Sequence, residues 1–324
     1  MSIISQSDIT NASSLLSNVT LKTPTLPLHS DRWRKHLPNI AGGAIKLELF
    51  QQVGSFKARG AYLGIQSLDE THRKSGVTAA SGGNHALAVA WAAQKLGVKT
   101  KIAIPKTADP IRINGCRDMG AEVILCDDIA HAFDTMERIV SQNGMSKIHP
   151  FEGRYMTLGA ATCGAEFIAQ HPQLEVVIVP VGGGGLISGI SAAVKFANPD
   201  IMVIGVEPFG ADTMYRSFET GTPASIDQVN TIADSLGSPT ALPYSFGIAK
   251  EHVDEIVRVE DNELCDAMRI YHAVLGLAVE PACAAALAGA MGPLRSAIEG
   301  KHVGLIACGS NIGLARYHSL VGSA

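Results

Sequence analysis

The sequence predicts an α/β fold with two open, largely parallel twisted sheets and flanking helices. Short runs rich in β-branched residues alternate with stretches in which apolar residues repeat at helical spacing. The runs are almost continuously hydrophobic, which is typical of parallel strands covered by helices on both faces. They are VTAA (77–80), TKIAI (100–104), EVIL (122–125), EVVIVPV (175–181), IMVIGVE (201–207) and VGLIA (303–307).

Two of the helices between these strands carry clear start and stop signals. The stretch 84–97 ends on Gly97, a preferred C-terminal cap. The stretch 109–120 opens with Asp109 as N-cap and Pro110 at the first helical position. Helices of this length are the usual connection between parallel strands, so these signals support the predicted fold class.

No linker or low-complexity tract divides the chain, so the domain limits follow from the order of the predicted strands. Residues 76–148 are expected to form a smaller βαβαβα domain, inserted into a larger domain made of 1–75 and 149–324. Two facing sheets leave a cleft between them. Ligands of open α/β sheets lie beyond the carboxyl ends of the strands, so the loops after strands are the candidate sites.

Composition and charge favour small-molecule chemistry. The 324-residue chain has a formal net charge of −4 and no Lys/Arg run, so neither nucleic acid nor a membrane surface is expected as a partner. The N-terminus has no signal-peptide pattern, and no apolar run approaches the roughly 20 residues that span a bilayer. The six cysteines contain no C-x-x-C pair, which favours a reducing compartment and a cytoplasmic location.

The stretch VGSFKARGA (53–61) places Lys57 among small and apolar residues, with Arg59 two positions later. One interpretation is that both cations lie on the solvent face of a helix that begins near Ser55. The other is that desolvation lowers the pKa of the Lys57 amine, because burial disfavours the ammonium. A neutral amine is a nucleophile that forms a Schiff base with a carbonyl. The stretch alone leaves both interpretations open.

The loop after the strand at 175–181 contains four consecutive glycines, at 182–185. Their backbone N–H groups are accessible, and the helix that follows directs its positive end at the same place. The loop is therefore predicted to bind an isolated phosphate, with a flexible glycine turn as the alternative. A dinucleotide site is not indicated, because Ile187 or Ser188 takes its last glycine position.

Two further loops follow predicted strands. The loop SGGNHA (81–86) is a candidate site for a carboxylate, because several donors meet a helix N-terminus there. The alternative is a plain N-cap beside a solvated histidine. In the loop CGSNIG (308–313), Cys308 is either part of a buried turn or a ligand contact. The candidate donors of the first loop are Ser81, the amides of Gly82 and Gly83, Asn84 and His85.

The motifs GSFKARGA, SGGNHA, PVGGGGLISG and CGSN occur in an order and spacing that resemble the fold type II pyridoxal-phosphate (PLP) enzymes, in the serine/threonine dehydratase and serine racemase branch. The resemblance extends over essentially the whole chain. It implies a tryptophan synthase β-like fold, with the cofactor in the larger domain and the substrate carboxylate on the smaller one. It also implies a small-molecule amino-acid substrate and a homodimer.

The resemblance assigns roles to the motif residues. Lys57 is implied as the Schiff-base lysine and the general base, with Phe56 beside the cofactor ring. Cys308 is implied as the partner of the pyridine nitrogen, which is expected to stay neutral because a thiol is a poor proton donor. The implied phosphate donors are the amides of Gly182, Gly183, Gly184, Gly185 and Leu186. The implied carboxylate contacts are Ser81, Gly82, Asn84 and His85, and Asn84 is also implied to bond the ring hydroxyl.

A divalent-cation site is a further expectation from the resemblance. Some relatives hold magnesium or calcium with two carboxylates and a backbone carbonyl. The corresponding positions are Glu207, Ala211 and Thr213, so the second carboxylate is missing here. Hard cations lose affinity with each carboxylate removed, and a solvated loop is the alternative.

The expected function is that of a PLP-dependent ammonia-lyase (dehydratase) that converts a 3-hydroxy amino acid to a 2-keto acid and ammonia. Threonine, serine and 3-hydroxyaspartate remain open as substrates, and Arg154 and Tyr155 are candidates to bind a second carboxylate. The alternatives are an amino-acid racemase or β-replacement enzyme on the same scaffold, and a cofactor-binding protein without turnover. Racemisation needs acid–base groups on both faces of Cα. The racemases that this chain resembles have a serine at the position of Gly82, and glycine has no side chain that could donate a proton. We therefore expect negligible racemisation.

Overall fold

The computed structural model describes residues 4–28 and 30–322, which form a six-stranded and a four-stranded sheet. The larger sheet has the strand order 1-2-10-7-8-9 and the smaller sheet the order 5-4-3-6. Among the described strands, all pairings are parallel except that of the first with the second. The strands are β1 Thr25–Pro27, β2 Gly42–Leu47, β3 Val77–Ala80, β4 Thr100–Pro105, β5 Glu122–Cys126, β6 Ser146–Lys147, β7 Val176–Pro180, β8 Met202–Pro208, β9 Glu255–Val259 and β10 His302–Ala307.

Helices connect the strands and cover the sheets. They are α1 Gln6–Leu16, α2 Lys57–Gln66, α3 Glu70–Ser75, α4 Asn84–Leu96, α5 Pro110–Asp118, α6 Ile129–Asn143, α7 Arg154–Gln170, α8 Gly185–Ala197, α9 Thr213–Thr220, α10 Pro243–His252, α11 Asp261–Leu275, α12 Pro281–Met291 and α13 Leu314–Val321. Short 3-10 turns lie at Glu48–Phe50, Gln52–Gly54, Phe209–Ala211 and Asp234–Leu236. Within the described ranges, no helix is long and apolar enough to cross a bilayer.

The predicted fold class is confirmed, and each of the six predicted strands corresponds to a strand of the structure. The predicted caps are also present: Gly97 ends α4 with a φ of 65°, and the Asp109 side chain accepts from the Ile111 amide at the start of α5. The structure adds β1, β2, β6 and β9. Of these, β1 and β6 have only three and two residues, which is too short for a recognisable repeat.

The strands divide between the two sheets in agreement with their order in the chain. The smaller sheet contains the strands between residues 77 and 147, and the larger sheet contains the others. However, α2 packs its Ala58 and Ala61 into the hydrophobic cluster of the smaller sheet, beside Ala88 and Trp91 of α4. The domain limits at 76 and 148 therefore stay a prediction.

The topology brings the candidate loops together. Strand β10 lies between β2 and β7 and is parallel to both, so the carboxyl ends of the three strands meet at one edge. The chain leaving β2 leads to Lys57, the chain leaving β7 enters the glycines, and the chain leaving β10 begins with Cys308. From the smaller sheet, β3 leads directly into residues 81–85.

Candidate active site

Lys57 is the first residue of α2 and is partly buried. Its Nζ donates to the carbonyl oxygen of Pro150 and lies 5.0 Å from the centroid of the Phe56 ring. Burial lowers the pKa of the Lys57 amine to about 8, against the opposing influence of Cys308 and Glu280. A substantial share of this amine is therefore neutral in mildly alkaline solution, as nucleophilic and base chemistry both require.

Arg59 lies in the first turn of α2 and is fully buried. The interpretation that it lies on the solvent face of the helix is therefore wrong. Its Nε and Nη2 pair with the two oxygens of Glu48, each at 2.8 Å. Its Nη1 and Nη2 pair with Glu166 at 2.8 and 2.9 Å. Further bonds at 3.2 Å run to the hydroxyl of Thr162 and the carbonyl of Leu21. Lys57 therefore projects from a turn that two carboxylates fix in place.

The glycine loop (182–186) has the properties of an anion site. Its residues are buried or nearly so, and their amides donate to no group within residues 4–28 and 30–322. A Cβ on Gly183 would lie 2.4 Å from the Phe151 ring, and one on Gly185 would lie 2.6 Å from the Phe151 carbonyl oxygen. Gly184 has a φ of 91°, which disfavours a side chain. Buried amides without partners at the start of α8 fit the phosphate of PLP.

The carboxylate loop (81–85) is a second cluster of amides. Those of Gly82, Asn84 and His85 have no acceptor in the described part of the chain, and they lie at the N-terminus of α4. The Ser81 hydroxyl instead accepts from the Gly83 amide at 3.0 Å, so it is engaged within its own loop. A carboxylate fits here through backbone donors and the helix dipole.

The His85 side chain differs from the role implied for it. Its Nε2 lies 2.8 Å from the carbonyl oxygen of Ile148, so this nitrogen must carry the proton. Burial lowers the pKa of the imidazole to about 3, which keeps the ring neutral and leaves Nδ1 as an acceptor. A neutral acceptor cannot donate to a carboxylate. The backbone N–H of His85, rather than its ring, is the group that suits a substrate carboxylate.

The segment 148–151, the bridging segment, contacts Lys57, the glycine loop and the carboxylate loop. The Ile148 carbonyl bonds His85, the Pro150 carbonyl bonds Lys57, and Phe151 packs on Gly183 and Gly185. The segment therefore places the amine next to both amide clusters. The cleft around Lys57 is lined by Phe56, Gly60, Pro150, Phe151, Met156 and Gly185.

The Asn84 side chain is held by Asn311 of the CGSN motif and by Glu280, which no sequence motif included. Its Nδ2 donates to Glu280 Oε1 at 2.5 Å, and its Oδ1 accepts from Asn311 Nδ2 at 2.7 Å. Glu280 is fully buried, and burial raises the pKa of its carboxyl to about 7. The sequence did contain a signal for Glu280, because this residue is a lone carboxylate immediately before the apolar helix α12.

Cys308 lies at the end of β10 with its side chain buried, and its carbonyl accepts from the Phe56 amide at 3.1 Å. A hydrogen bond with Cys283 and burial raise the pKa of the Cys308 thiol well above its ordinary value. The thiol therefore stays protonated at neutral pH. Its implied role, as a poor proton donor beside the pyridine nitrogen, stays a prediction.

The residues at the implied cation positions do not fit a metal ion. Both oxygens of Glu207 accept from backbone amides at the start of α9, at 3.0 and 2.7 Å. The neighbouring Asp212 pairs with Arg258 at 2.9 Å and with Arg216 at 2.7 Å. Ala211 is buried in the 3-10 turn before α9, and Thr213 is its first residue. The described residues contain no cluster of three metal-ligating side chains, so we derive no step through a metal.

Arg154 and Tyr155, the candidates for a second substrate carboxylate, have other surroundings. Arg154 Nη2 pairs with Asp8 of α1 at 2.6 Å. Tyr155 is 40% exposed on the first turn of α7. The Arg154 charge is therefore already matched by a carboxylate of the protein.

Comparison with known proteins identifies the class of enzyme. The family model for pyridoxal-phosphate-dependent enzymes matches residues 17–309, and the chain belongs to this family. Phenylserine dehydratase from Ralstonia pickettii is 48% identical over 86% of each chain. L-Threonine ammonia-lyase from Thermotoga maritima is 37% identical over 96% of this chain and 76% of the relative. The solved structure of maize serine racemase covers 95% of this chain and 94% of its own, with 32% identity and a TM-score of 0.89.

These matches confirm the predicted branch, that of the dehydratases and serine racemases, and with it a PLP-dependent ammonia-lyase as the class of enzyme. The expected cofactor follows from the family. The partner-free amides of the glycine loop and the half-buried Lys57 fit it independently.

Proposed function

We propose that this chain removes water from a 3-hydroxy amino acid with an uncharged side chain and releases a 2-keto acid and ammonia. The observation that carries the proposal is the bridging segment, which joins Lys57 to two clusters of partner-free amides. One cluster suits the cofactor phosphate and the other suits the substrate carboxylate. Lys57 is the titratable amine that the same segment contacts.

PLP, when bound, supplies the electron sink that stabilises negative charge at Cα. The chain supplies the base, because the lowered pKa of Lys57 leaves part of its amine neutral and able to take the Cα proton. Loss of that proton allows the bond between Cβ and the 3-hydroxyl to break, and the hydroxyl departs as water, so that the substrate loses in total its Cα proton and a hydroxide. The enamine product then tautomerises and hydrolyses to the 2-keto acid and ammonia.

An uncharged substituent at C3 is supported by the charges around the cleft. Apart from Lys57, the described residues that line it are uncharged. Burial lowers the pKa of the nearby His149 to about 4, so its ring is neutral. The His149 ring also packs edge-on against Phe151, with the centroids 4.7 Å apart. An apolar or aromatic substituent suits this wall better than the second carboxylate of 3-hydroxyaspartate, which would need a cation.

The proposal is tested by incubating the PLP-loaded protein with phenylserine, threonine, serine and 3-hydroxyaspartate and measuring keto acid and ammonia. We expect release from the uncharged substrates and at least tenfold lower kcat/KM with 3-hydroxyaspartate, about 1.4 kcal/mol. Lys57→Ala should lose turnover, whereas Lys106→Ala should not, because Lys106 pairs with Asp127 on the surface. Full activity of Lys57→Ala, or a preference for 3-hydroxyaspartate, would contradict the proposal.

Racemisation is the second candidate, and the carboxylate loop argues against it. Gly82 has no side chain, and the hydroxyl of the adjacent Ser81 is bonded to the Gly83 amide. We therefore expect the Ser81 hydroxyl, which this bond orients within its own loop, not to serve as the second acid–base group that racemisation requires. The homodimer and the cytoplasmic location stay predictions, the first testable by light scattering and the second by cell fractionation.

A further inference from the structure

Arg112 is a buried cation that joins the carboxylate loop to the larger sheet. It lies on α5 beside the smaller sheet and is 3% exposed. Its Nη1 donates to the Gly82 carbonyl at 3.1 Å and to Asp234 Oδ2 at 2.8 Å. Its Nη2 donates to Glu280 Oε2 at 3.1 Å, and its Nε donates to the Asn311 carbonyl at 2.9 Å. One guanidinium thus holds the loop to three groups from the larger-sheet part of the chain.

The same partners close a network around the loop. Glu280 and Asn311 both bond the side chain of Asn84, which is two residues after Gly82. Arg112 also reaches the second oxygen of Asp234, at 3.4 Å, so all five guanidinium donors have protein partners. Arg112 is therefore not available to contact a substrate itself. A lysine could replace the charge but not this planar arrangement of donors.

We propose that Arg112 is a positioning residue, which fixes the partner-free amides of the carboxylate loop relative to Lys57. This inference rests on the proposed function, because it takes those amides to receive the substrate carboxylate. Loosening the loop should weaken substrate binding first. The visible absorbance of bound PLP should change little, because Lys57 and the glycine loop keep their own supports in Arg59 and Phe151.

The test compares Arg112→Lys and Asp234→Asn with Arg117→Lys, a control on the same helix. Arg117 is exposed, and its side chain bonds Asn114. For Arg112→Lys we expect about a tenfold rise in KM and in the Kd of L-alanine, which lacks a leaving group, with a smaller loss of kcat. Asp234→Asn should raise KM and the alanine Kd by a smaller factor, because Glu280 keeps its hydrogen bond from Arg112. In the PLP-free protein, amides 81–86 should exchange hydrogen faster in both variants than in the control.

Unchanged KM, alanine affinity and amide exchange in both variants would overturn the inference. If Arg112→Lys fails to fold, the Asp234→Asn variant still tests the inference. The Asp234 side chain is 35% exposed, so the neutral amide of asparagine is tolerated at this position. If the wild-type protein releases no ammonia from any substrate, the proposed function fails. The exchange comparison on the PLP-free protein then still decides whether Arg112 holds the loop.

Discussion

Replacing Arg59 with methionine removes the cation that lies between two carboxylates behind Lys57. Glu48 is fully buried and Glu166 is 22% exposed in its side chain. Breaking a buried ion pair by removing one partner costs about 3–5 kcal/mol, because a desolvated charge is left behind. Lys46 still pairs with Glu166 at 2.9 Å, and Thr23 still donates to Glu48 at 2.6 Å, which favours the lower end of that range.

This cost corresponds to a measurable shift in Tm. An unfolding entropy of about 2.1 cal/mol/K per residue gives about 0.7 kcal/mol/K for 324 residues, so about 3–5 kcal/mol lowers Tm by about 4–7 °C. Arg34→Met is the matched control, since Arg34 pairs with Asp31 at 3.3 Å while both side chains are largely exposed. A surface pair of this kind contributes little, and no resolvable shift is expected.

The stability difference should also depend on pH. In the wild-type protein, Arg59 holds the pKa of Glu48 below its usual value, so the carboxylate contributes stability above its unfolded pKa. In Arg59→Met, burial would raise the pKa of Glu48, and the group would oppose folding while ionised. The gap between the two proteins should therefore narrow as the pH falls, because Glu48 takes up a proton in the variant while it stays ionised in the wild-type protein. Equal Tm values for Arg59→Met and Arg34→Met, or a gap independent of pH, would refute this reasoning.

The remaining predictions concern the cofactor, the implied cation positions, Cys308 and stereochemistry. Because the Lys57 pKa is about 8, the rate at which the PLP-free protein binds PLP should rise with pH through that value; a rate flat across it would contradict the lowered pKa. Chelation by EDTA should leave activity unchanged and added magnesium should leave Tm unchanged, because Asp212 is paired with Arg258; magnesium-dependent recovery of activity would show a cation site. Cys308→Ser should keep much of the activity, whereas Cys308→Asp should alter the ratio of elimination to side products; identical product ratios would separate this residue from the ring. Gly82→Ser should fold normally, because its Cβ would lie 3.5 Å from Pro105 and Ala108, which is ordinary van der Waals contact. Chiral chromatography should find enantiomer exchange in this variant only. Rapid exchange by the wild-type protein would instead favour the racemase.

The fold was largely predictable because parallel strands leave a strong signal. Buried strands such as β7 and β10 are continuously apolar, and their helices have clear caps. The strand β2 has two glycines and a buried lysine, Lys46, so it has no such pattern. Lys46 is explained only by tertiary structure, since it pairs with Glu166, 120 residues away. Predictions from local pattern fail where a strand's composition is set by a distant partner.

The candidate site was predictable where function depends on backbone exposure. Glycines after β7 and the donors after β3 are local in sequence, and so is the helix start that follows each. The supports of the site are not local. Arg112 and Glu280 are 168 residues apart, and neither residue type indicates burial on its own. Val53 adopts a φ of 53°, unusual for a β-branched residue, and the Asn311 side chain holds its carbonyl at 2.7 Å. This strain lies four residues before Lys57 and left no sequence signal.

The two buried arginines around Lys57 should affect different measurements, and the reason is where their partners lie. Arg59 bonds Glu48 and Glu166 and makes no hydrogen bond to the carboxylate loop, so its loss should lower Tm with little direct effect on KM. Arg112 bonds the carbonyl of Gly82 within the carboxylate loop, so its loss should raise KM. Buried ion pairs are weak sources of net stability, because desolvation offsets much of the attraction. Here the two networks instead fix the geometry of the site. Arg59 fixes the turn that carries Lys57, and Arg112 fixes the loop whose amides suit the substrate carboxylate.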